Sequence, residues 1–268
     1  MTASEVLFDV LFDGGTWLEG PAWTADGLLF SDVVESRTYL FADGLVSVLR
    51  EGTEWTNGRT VSPAGEVIEC SHGLRAVLRD GVVVADRWAG GRFNSPNDVV
   101  VAADGAIWFT DPPYGLHESG REGRPGPQDY DGCFVFRIDP DGTVEPVIED
   151  VRHPNGLAFS PDGRTLYVAD SAYVWFREHP LVIRAYAIED GRAVDGRDFV
   201  TPGGVPDGMR VASDGTLWTS AGRGVERYSP AGSLVERIDL PHAVSNLCFG
   251  PDGDVYVTAT STLLRLRR

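Results

Sequence analysis

Short stretches of alternating apolar and polar residues fill most of the chain, and Gly, Pro or Asp-Gly pairs separate them. A clear example is PNDVVVAADGAIWFTD (96–111), in which two apolar segments flank Asp104-Gly105. Asp-Gly between apolar segments is a strong sequence signal for a β-hairpin. No window keeps apolar residues at i, i+3, i+4 and i+7 without an interrupting Gly or Pro. The pattern therefore predicts an all-β protein built from hairpins.

The hairpin recurs six times, and its turn glycines are 38, 40, 58, 52 and 38 residues apart. These glycines are Gly27, Gly65, Gly105, Gly163, Gly215 and Gly253. Two further apolar segments follow each hairpin, so one repeat supplies four antiparallel strands, the content of one β-propeller blade. The last repeat lacks its fourth segment, whereas EVLFDVLF (5–12) precedes the first hairpin without a partner. We therefore predict a six-bladed β-propeller, a single domain over residues 1–268, whose ring is closed by this N-terminal strand in the last blade.

Composition and charge exclude several classes of partner. The net charge of −17 and the pI near 4.6 argue against binding to nucleic acid or to an anionic membrane surface. No apolar run approaches the roughly 20 residues of a membrane helix, and residues 1–6 show no secretory signal. Cys70, Cys133 and Cys248 lie far apart, so they indicate neither a disulfide framework nor a cysteine zinc site. We expect a cytoplasmic protein, and no feature of the sequence indicates an oligomeric state.

The residue eight positions before each turn glycine carries a side-chain oxygen in all six repeats. These residues are Glu19, Asn57, Asn97, Asn155, Asp207 and Ser245, and the residue after each is mostly small. The first strands of propeller blades line the central channel, so equivalent positions converge at one end of it. One Asn before Gly is usually a turn residue, but turn chemistry does not explain six polar residues in six repeats. Carboxylates brought together without a basic partner repel each other, so the pattern predicts a bound divalent cation.

Two long connections, residues 112–132 and 171–180, follow the second strands of blades three and four. We expect them on the same face as the oxygen ring, where long loops commonly carry binding residues. They bring Tyr114, His117 and several other aromatic residues to the rim of the channel. Taken singly, each of these aromatic residues is more often a cover for a blade edge than a ligand contact.

Four motifs of the chain resemble those of the gluconolactonase / senescence marker protein (regucalcin-like) family. They are LEGPAW, NSPNDVVVAADGAIWFTDPPYG, HPNGLAFSPDGRTLYVAD and PDGMRVASDG, and the resemblance covers essentially the whole chain. It implies a six-bladed propeller that hydrolyses sugar lactones with one divalent cation in the channel. It also implies that the protein ligands of this cation are Glu19, Asn97, Asn155 and Asp207. Mammalian members hold the substrate with an Arg of an Arg-Phe-Asn-Asp block, but here Arg92-Phe93-Asn94 stands three residues too early to transfer that role.

We therefore expect hydrolysis of a sugar lactone, with Asp207 as general base or water-orienting group and Glu19 as a charge-neutralising ligand. All-oxygen ligation favours Ca²⁺, with Mg²⁺, Mn²⁺ and Zn²⁺ as alternatives. Candidate substrate contacts are Asn57, Asn94, Tyr114 and His117, and weaker candidates for proton transfer are His72, His117 and His153. Two alternatives stay open: hydrolysis of a phosphotriester or another ester on the same ring, and a non-catalytic propeller that binds calcium or another ligand. The sequence does not identify the lactone.

Overall fold

Twenty-six short strands make up nearly all of the regular structure in the computed structural model, which describes residues 8–268. The first thirteen are β1 (Phe8–Asp13), β2 (Leu18–Thr24), β3 (Gly27–Asp32), β4 (Arg37–Ala42), β5 (Leu45–Glu51), β6 (Thr56–Val61), β7 (Val67–Ser71), β8 (Ala76–Arg79), β9 (Val82–Ala85), β10 (Arg87–Trp88), β11 (Gly91–Arg92), β12 (Val99–Val101) and β13 (Ile107–Asp111). The others are β14 (Phe134–Ile138), β15 (Val144–Ile148), β16 (Pro154–Phe159), β17 (Thr165–Asp170), β18 (Val182–Glu189), β19 (Arg192–Val200), β20 (Met209–Val211), β21 (Leu217–Ser220), β22 (Gly224–Tyr228), β23 (Leu234–Asp239), β24 (Val244–Phe249), β25 (Val255–Ala259) and β26 (Thr262–Leu266).

These strands form six antiparallel four-stranded sheets, and each sheet is one blade of a propeller. The first five blades are β2–β5, β6–β9, β12–β15, β16–β19 and β20–β23 in chain order, and β10 and β11 form a separate two-stranded ribbon. The sixth blade has the order β1-β26-β25-β24. The predicted fold is therefore confirmed, with four strands in every blade.

The N-terminal strand closes the ring. Strand β1 pairs antiparallel with β26, so that Phe8 lies opposite Leu266 and Val10 opposite Leu264. The predicted closing strand is thus confirmed over residues 8–12, and residues 5–7 lie outside the described part of the chain. Because strands from the two ends of the chain share one sheet, backbone hydrogen bonds hold the first and last blades together.

The hydrophobic core lies between neighbouring blades. Between blades two and three, Phe93, Phe109 and Phe136 are fully buried, with ring centroids 4.9 to 5.4 Å apart. Leu18 and Leu263 belong to an equivalent cluster between blades one and six. Burial of apolar area in these clusters stabilises the ring and leaves the channel to polar side chains.

The inner strands are irregular where the predicted oxygen positions lie. In blades one, two and four, the pairing with the second strand shifts at or just after Glu19, Asn57 and Asn155. Such bulges turn a side chain out of the regular alternation and are frequent at functional sites. The small residue that follows is required, because a Cβ on Gly20 (φ 52°) would lie 2.3 Å from the carbonyl oxygen of Asn57 in the next blade. Glycine therefore lets neighbouring inner strands approach closely around the channel.

The two long connections contain the helical residues of the described chain. Each begins with a short 3-10 helix, Tyr114–Leu116 in residues 112–132 and Ala172–Val174 in residues 171–180. Within residues 8–268, no helix is long and apolar enough to cross a membrane.

Candidate metal centre and substrate pocket

A pocket of about 260 Å³ lies at one mouth of the central channel. Five of the six predicted oxygen positions line it: Glu19, Asn57, Asn97, Asn155 and Asp207. The two long connections contribute Tyr114, His117, Ser119, Arg121, Glu122, Ser171, Val174 and Trp175. The oxygen ring and both loops therefore lie on one face, as the sequence predicts.

Two predicted positions do not reach this pocket. The hydroxyl of Ser245 is buried, and its oxygen lies 2.5 and 3.0 Å from the backbone oxygens of Leu18 and Thr258. Asn94 is also fully buried, and its Nδ2 donates to the backbone oxygens of Asp111 and Gly132. Asn94 thus stabilises the blade-three connection, and the prediction that it contacts substrate is corrected by this placement.

Glu19 is a buried carboxylate with two hydrogen-bond donors. Its Oε2 accepts from the backbone N–H of Gly20 at 2.9 Å and from Nδ2 of Asn246 at 3.2 Å. Burial raises the pKa of Glu19 to about 8, and the charges of Asp98 and Glu122 add to this rise. The two donors oppose the rise without cancelling it, so without a counter-charge Glu19 is held with difficulty in its ionised form.

Asp207 shares this environment. Burial raises its pKa well above the usual value, and the neighbouring charges of Glu19, Glu122 and Asp98 raise it further. Glu122, on the loop of residues 112–132, also has a raised pKa, mainly through burial. Three carboxylates thus face one small pocket, where each disfavours the ionisation of the others.

A polar layer lies directly below the ring. Asn246 donates from Nδ2 to Glu19 and also to Oδ2 of Asp98, at 3.4 Å. Nη1 of Arg210 lies 3.7 Å from the same Oδ2. Asp98 and Asn246 occupy the position after the ring residue, which is Gly in the other blades, and both side chains are buried.

His72 lies behind two of the amides and is 1% exposed. Its Nε2 is 3.2 Å from Nδ2 of Asn57 and 3.4 Å from Nδ2 of Asn97. Its Nδ1 is 2.9 Å from the backbone oxygen of Glu122. Burial lowers the pKa of His72 to about 4, so the ring is neutral near pH 7. His72 does not line the pocket, which argues against the proton-transfer role considered for it.

Aromatic side chains form one wall of the pocket. The ring of Trp175 packs against Tyr114 and His117, with centroids 5.5 and 5.1 Å away. His153 lies behind this wall, buried against Tyr114, Trp175 and Phe176, and burial lowers its pKa to about 4. Of the three histidines considered for proton transfer, only His117 therefore lines the pocket.

The donor set fits a divalent cation better than an empty channel. Glu19 and Asp207 are held close together at a cost to their ionised forms, and Arg121 is the one arginine among the described residues that line the pocket. Within residues 8–268, no group of three or more His, Cys, Asp or Glu side chains is suited to a metal. Two carboxylates with amide oxygens of Asn97 and Asn155 would give a hard, oxygen-only ligand set.

Comparison with known proteins agrees with the motifs and the fold. A sequence model for the SMP-30/gluconolactonase/LRE-like region matches residues 17–261. The chain belongs to the SMP-30/gluconolactonase family. A gluconolactonase of Zymomonas mobilis is 33% identical over 94% of this chain and 78% of its own, and a pentonolactonase of Haloferax volcanii is 31% identical over 90% and 80%. The solved structure of a gluconolactonase from Xanthomonas campestris is 40% identical, has a TM-score of 0.90, and covers 96% of this chain and 88% of its own.

Several residues in or next to this family member's pocket have roles there that were not predicted from the sequence. Glu122 and Arg121 lie in SGREGRPGP, a polar loop segment without periodicity, where no pattern singles out one residue. The sequence suggests His72 as a weaker candidate for proton transfer, whereas its contacts to two amides arise from the packing of blades two and three. Asp98 and Asn246 carried a usable signal, because they break the run of small residues after the ring position.

Proposed function

We propose that this protein is a divalent-cation-dependent lactonase that opens a sugar lactone to the corresponding hydroxy acid. The observation that supports this most strongly is one pocket that combines five oxygen-bearing side chains of the ring with polar loop residues. The chain's similar relatives include a gluconolactonase and a pentonolactonase. The volume of the pocket also favours a small substrate, because about 260 Å³ is less than the roughly 300–1,000 Å³ of pockets for drug-sized ligands.

Glu19, Asn97, Asn155 and Asp207 would hold the cation. Their oxygen-only chemistry favours Ca²⁺, with Mg²⁺, Mn²⁺ and Zn²⁺ as alternatives. When bound, such a cation supplies positive charge that stabilises the oxyanion formed at the lactone carbonyl. The two carboxylates would balance the charge of the cation once it displaces their protons.

Asp207 is the proposed catalytic base. It lines the pocket, and a carboxylate that holds a cation through one oxygen has a second oxygen that can accept a proton from water. In the proposed reaction a water oxygen forms a bond to the carbonyl carbon while Asp207 takes the water proton. The bond between the carbonyl carbon and the ring oxygen then breaks, and the ring oxygen recovers that proton as a hydroxyl group.

The sugar hydroxyls would be bound by polar side chains of the pocket wall. Asn57, Tyr114 and His117 all line the pocket and offer both donors and acceptors. Glu122 and Arg121 add one acidic and one basic side chain from the same loop. Since most of these side chains belong to the loop of residues 112–132, we infer that this loop determines which lactone is accepted.

The test is lactone hydrolysis before and after removal of divalent cations. Acid release from glucono-, galactono- and pentonolactones is followed with a pH indicator, and the spontaneous rate without protein is subtracted. We expect turnover of at least one lactone, its loss in excess chelator, and its return with Ca²⁺, Mg²⁺, Mn²⁺ or Zn²⁺. Full activity in excess chelator would refute the cation requirement. Absence of turnover on every lactone, with a cation bound, would instead favour another ester substrate or a binding function.

A further inference from the structure

The Asn97 side chain can hold a cation only if its amide is turned the right way. The oxygen and nitrogen of an amide are nearly equal in size, so the hydrogen-bond partners decide which atom faces the pocket. For Asn57 and Asn97 the partner on the far side from the pocket is the same atom, Nε2 of His72. The state of this one nitrogen therefore determines the orientation of both amides.

The hydrogen bond on the opposite side of the ring sets that state. Nδ1 lies 2.9 Å from the backbone oxygen of Glu122, and a backbone oxygen only accepts. Nδ1 must therefore carry a hydrogen, which in the neutral ring leaves only a lone pair on Nε2. This lone pair accepts from Nδ2 of Asn57 and of Asn97. With their nitrogens used in this way, both amides turn Oδ1 toward the pocket.

The opposite orientation is unfavourable on both sides of the amides. Turned over, Asn57 and Asn97 would place two oxygens against the lone pair of Nε2, so that buried acceptors would face one another. Their NH₂ groups would then enter the pocket and repel a cation. His72 thus selects the orientation that a cation needs from Asn97, and it turns the acceptor oxygen of Asn57 toward the pocket.

The surroundings hold the His72 ring in place. A Cβ on Gly115 would lie 2.7 Å from Cβ and 3.1 Å from Cγ of His72, so the backbone of residues 112–132 packs directly on this side chain. The backbone N–H of His72 donates to the carbonyl of Trp55 at 3.2 Å. The same loop supplies Tyr114, His117 and Glu122 to the pocket. One buried side chain therefore links two ring amides to the loop that lines the pocket.

We propose that His72 is a positioning residue that turns the oxygens of Asn57 and Asn97 into the pocket and anchors the loop of residues 112–132 to them. The proposal rests on the cation-dependent function inferred above. Two substitutions separate the two contacts of the His72 ring. His72→Asn keeps a donor near Nδ1 for the Glu122 backbone oxygen and loses the acceptor for the two amides. His72→Gln keeps an acceptor near Nε2 for the amides and loses the donor to Glu122. The two variants should therefore fail in different ways.

The variants are compared by calorimetric titration of the chelated protein with Mn²⁺ and by lactone kinetics, after circular dichroism has verified the fold. We expect His72→Asn to weaken Mn²⁺ binding by about 10- to 100-fold, as loss of a partner that orients a metal ligand commonly does. His72→Gln should bind Mn²⁺ much like the wild type but show a raised KM, because the loop has lost its anchor. Equal losses of affinity in both variants, or none in either, would refute the positioning role.

A measurement on the unaltered protein tests the same inference without any variant. Long-range ¹H–¹⁵N NMR distinguishes the tautomers of the five histidines, and we expect His72 to carry its hydrogen on Nδ1. A hydrogen on Nε2 would refute the proposal. If the wild type binds no Mn²⁺, the cation-dependent function fails, and the tautomer of His72 still decides whether it orients the amides.

Discussion

The crowding of carboxylates predicts that the cation-free protein loses stability as the pH rises, and that Glu19→Gln removes much of this loss. The pKa of Glu19 is raised from 4.5 to about 8 in the folded chain. Between these values the folded protein holds a proton that the unfolded chain has released. The free energy of unfolding therefore falls with increasing pH, by about 1.4 kcal/mol per pH unit for one full proton.

The assay is urea unfolding in the presence of a chelator, between pH 6.5 and pH 8. Below pH 6.5 the buried histidines would oppose the effect, because the pKa values of His72 and His153 are lowered from 6.5 to about 4. Gln at position 19 keeps an oxygen that can accept from Gly20 and Asn246. We expect the stability of Glu19→Gln relative to the wild type to increase across this range, with a slope approaching about 1.4 kcal/mol per pH unit.

Glu69→Gln serves as the matched control for this series. The pKa of Glu69 is lowered, through the opposite charge of Arg59 and its other ion-pair partners, so both folded and unfolded states are ionised at this position above pH 6.5. Its substitution should change stability by a constant amount across the range. A difference between Glu19→Gln and the wild type that is equally constant would refute the assigned charge crowding. Saturating Mn²⁺ should reduce the slope of the wild type more than that of Glu19→Gln, which has lost one of the two carboxylate ligands.

Three further predictions concern catalysis and the ring. Asp207→Asn should lower kcat by about 10²- to 10⁴-fold, the usual contribution of a general base, and a variant that retains its rate would remove Asp207 from that role. Glu122→Gln should raise the KM for the lactone more than it lowers kcat in steady-state assays, and an unchanged KM would exclude a substrate contact. Gly20→Ala should reduce the free energy of unfolding, measured in urea, by at least about 2 kcal/mol. The reason is that the new Cβ would lie 2.3 Å from the Asn57 backbone oxygen at φ 52°. Gly44→Ala is the control, because Gly44 also has a positive φ but its new Cβ would meet no atom within 4 Å.

The fold and the ring were predictable because both arise from a repeat. Six turn glycines define the register, and the position eight residues earlier then places Glu19, Asn97 and Asp207 at equivalent points of their blades. Closure by the N-terminal strand followed from counting strands, and the pairing of Phe8 with Leu266 agrees with it. The position of a residue within the repeat therefore predicts its position in the propeller, because every blade has the same geometry.

Contacts outside the repeat were not predictable in the same way. Ser245 has the right register, yet a backbone oxygen of the neighbouring blade captures its hydroxyl, and Asn246 reaches Glu19 instead. The pairing of blade six shifts between Val244 and Asn246, which changes the direction of these side chains. Glu122 is placed by the fold of a long loop. Such outcomes depend on packing between distant segments, which no spacing in the chain records.

The contacts that stabilise the ring of oxygen side chains are made by the protein itself and do not involve a cation. Backbone hydrogen bonds join the inner strands directly at the ring, from Gly58 to the Asn97 oxygen at 2.8 Å and from Gly156 to the Asp207 oxygen at 3.0 Å. The apolar clusters between blades lie outside the channel and need no cation. The ring is therefore formed by the fold without a cation, and its carboxylates stay close together because the backbone holds them there. Chelation should accordingly remove activity and some stability while the strands stay paired, so that β-sheet circular dichroism persists and activity returns on adding the cation without a refolding step.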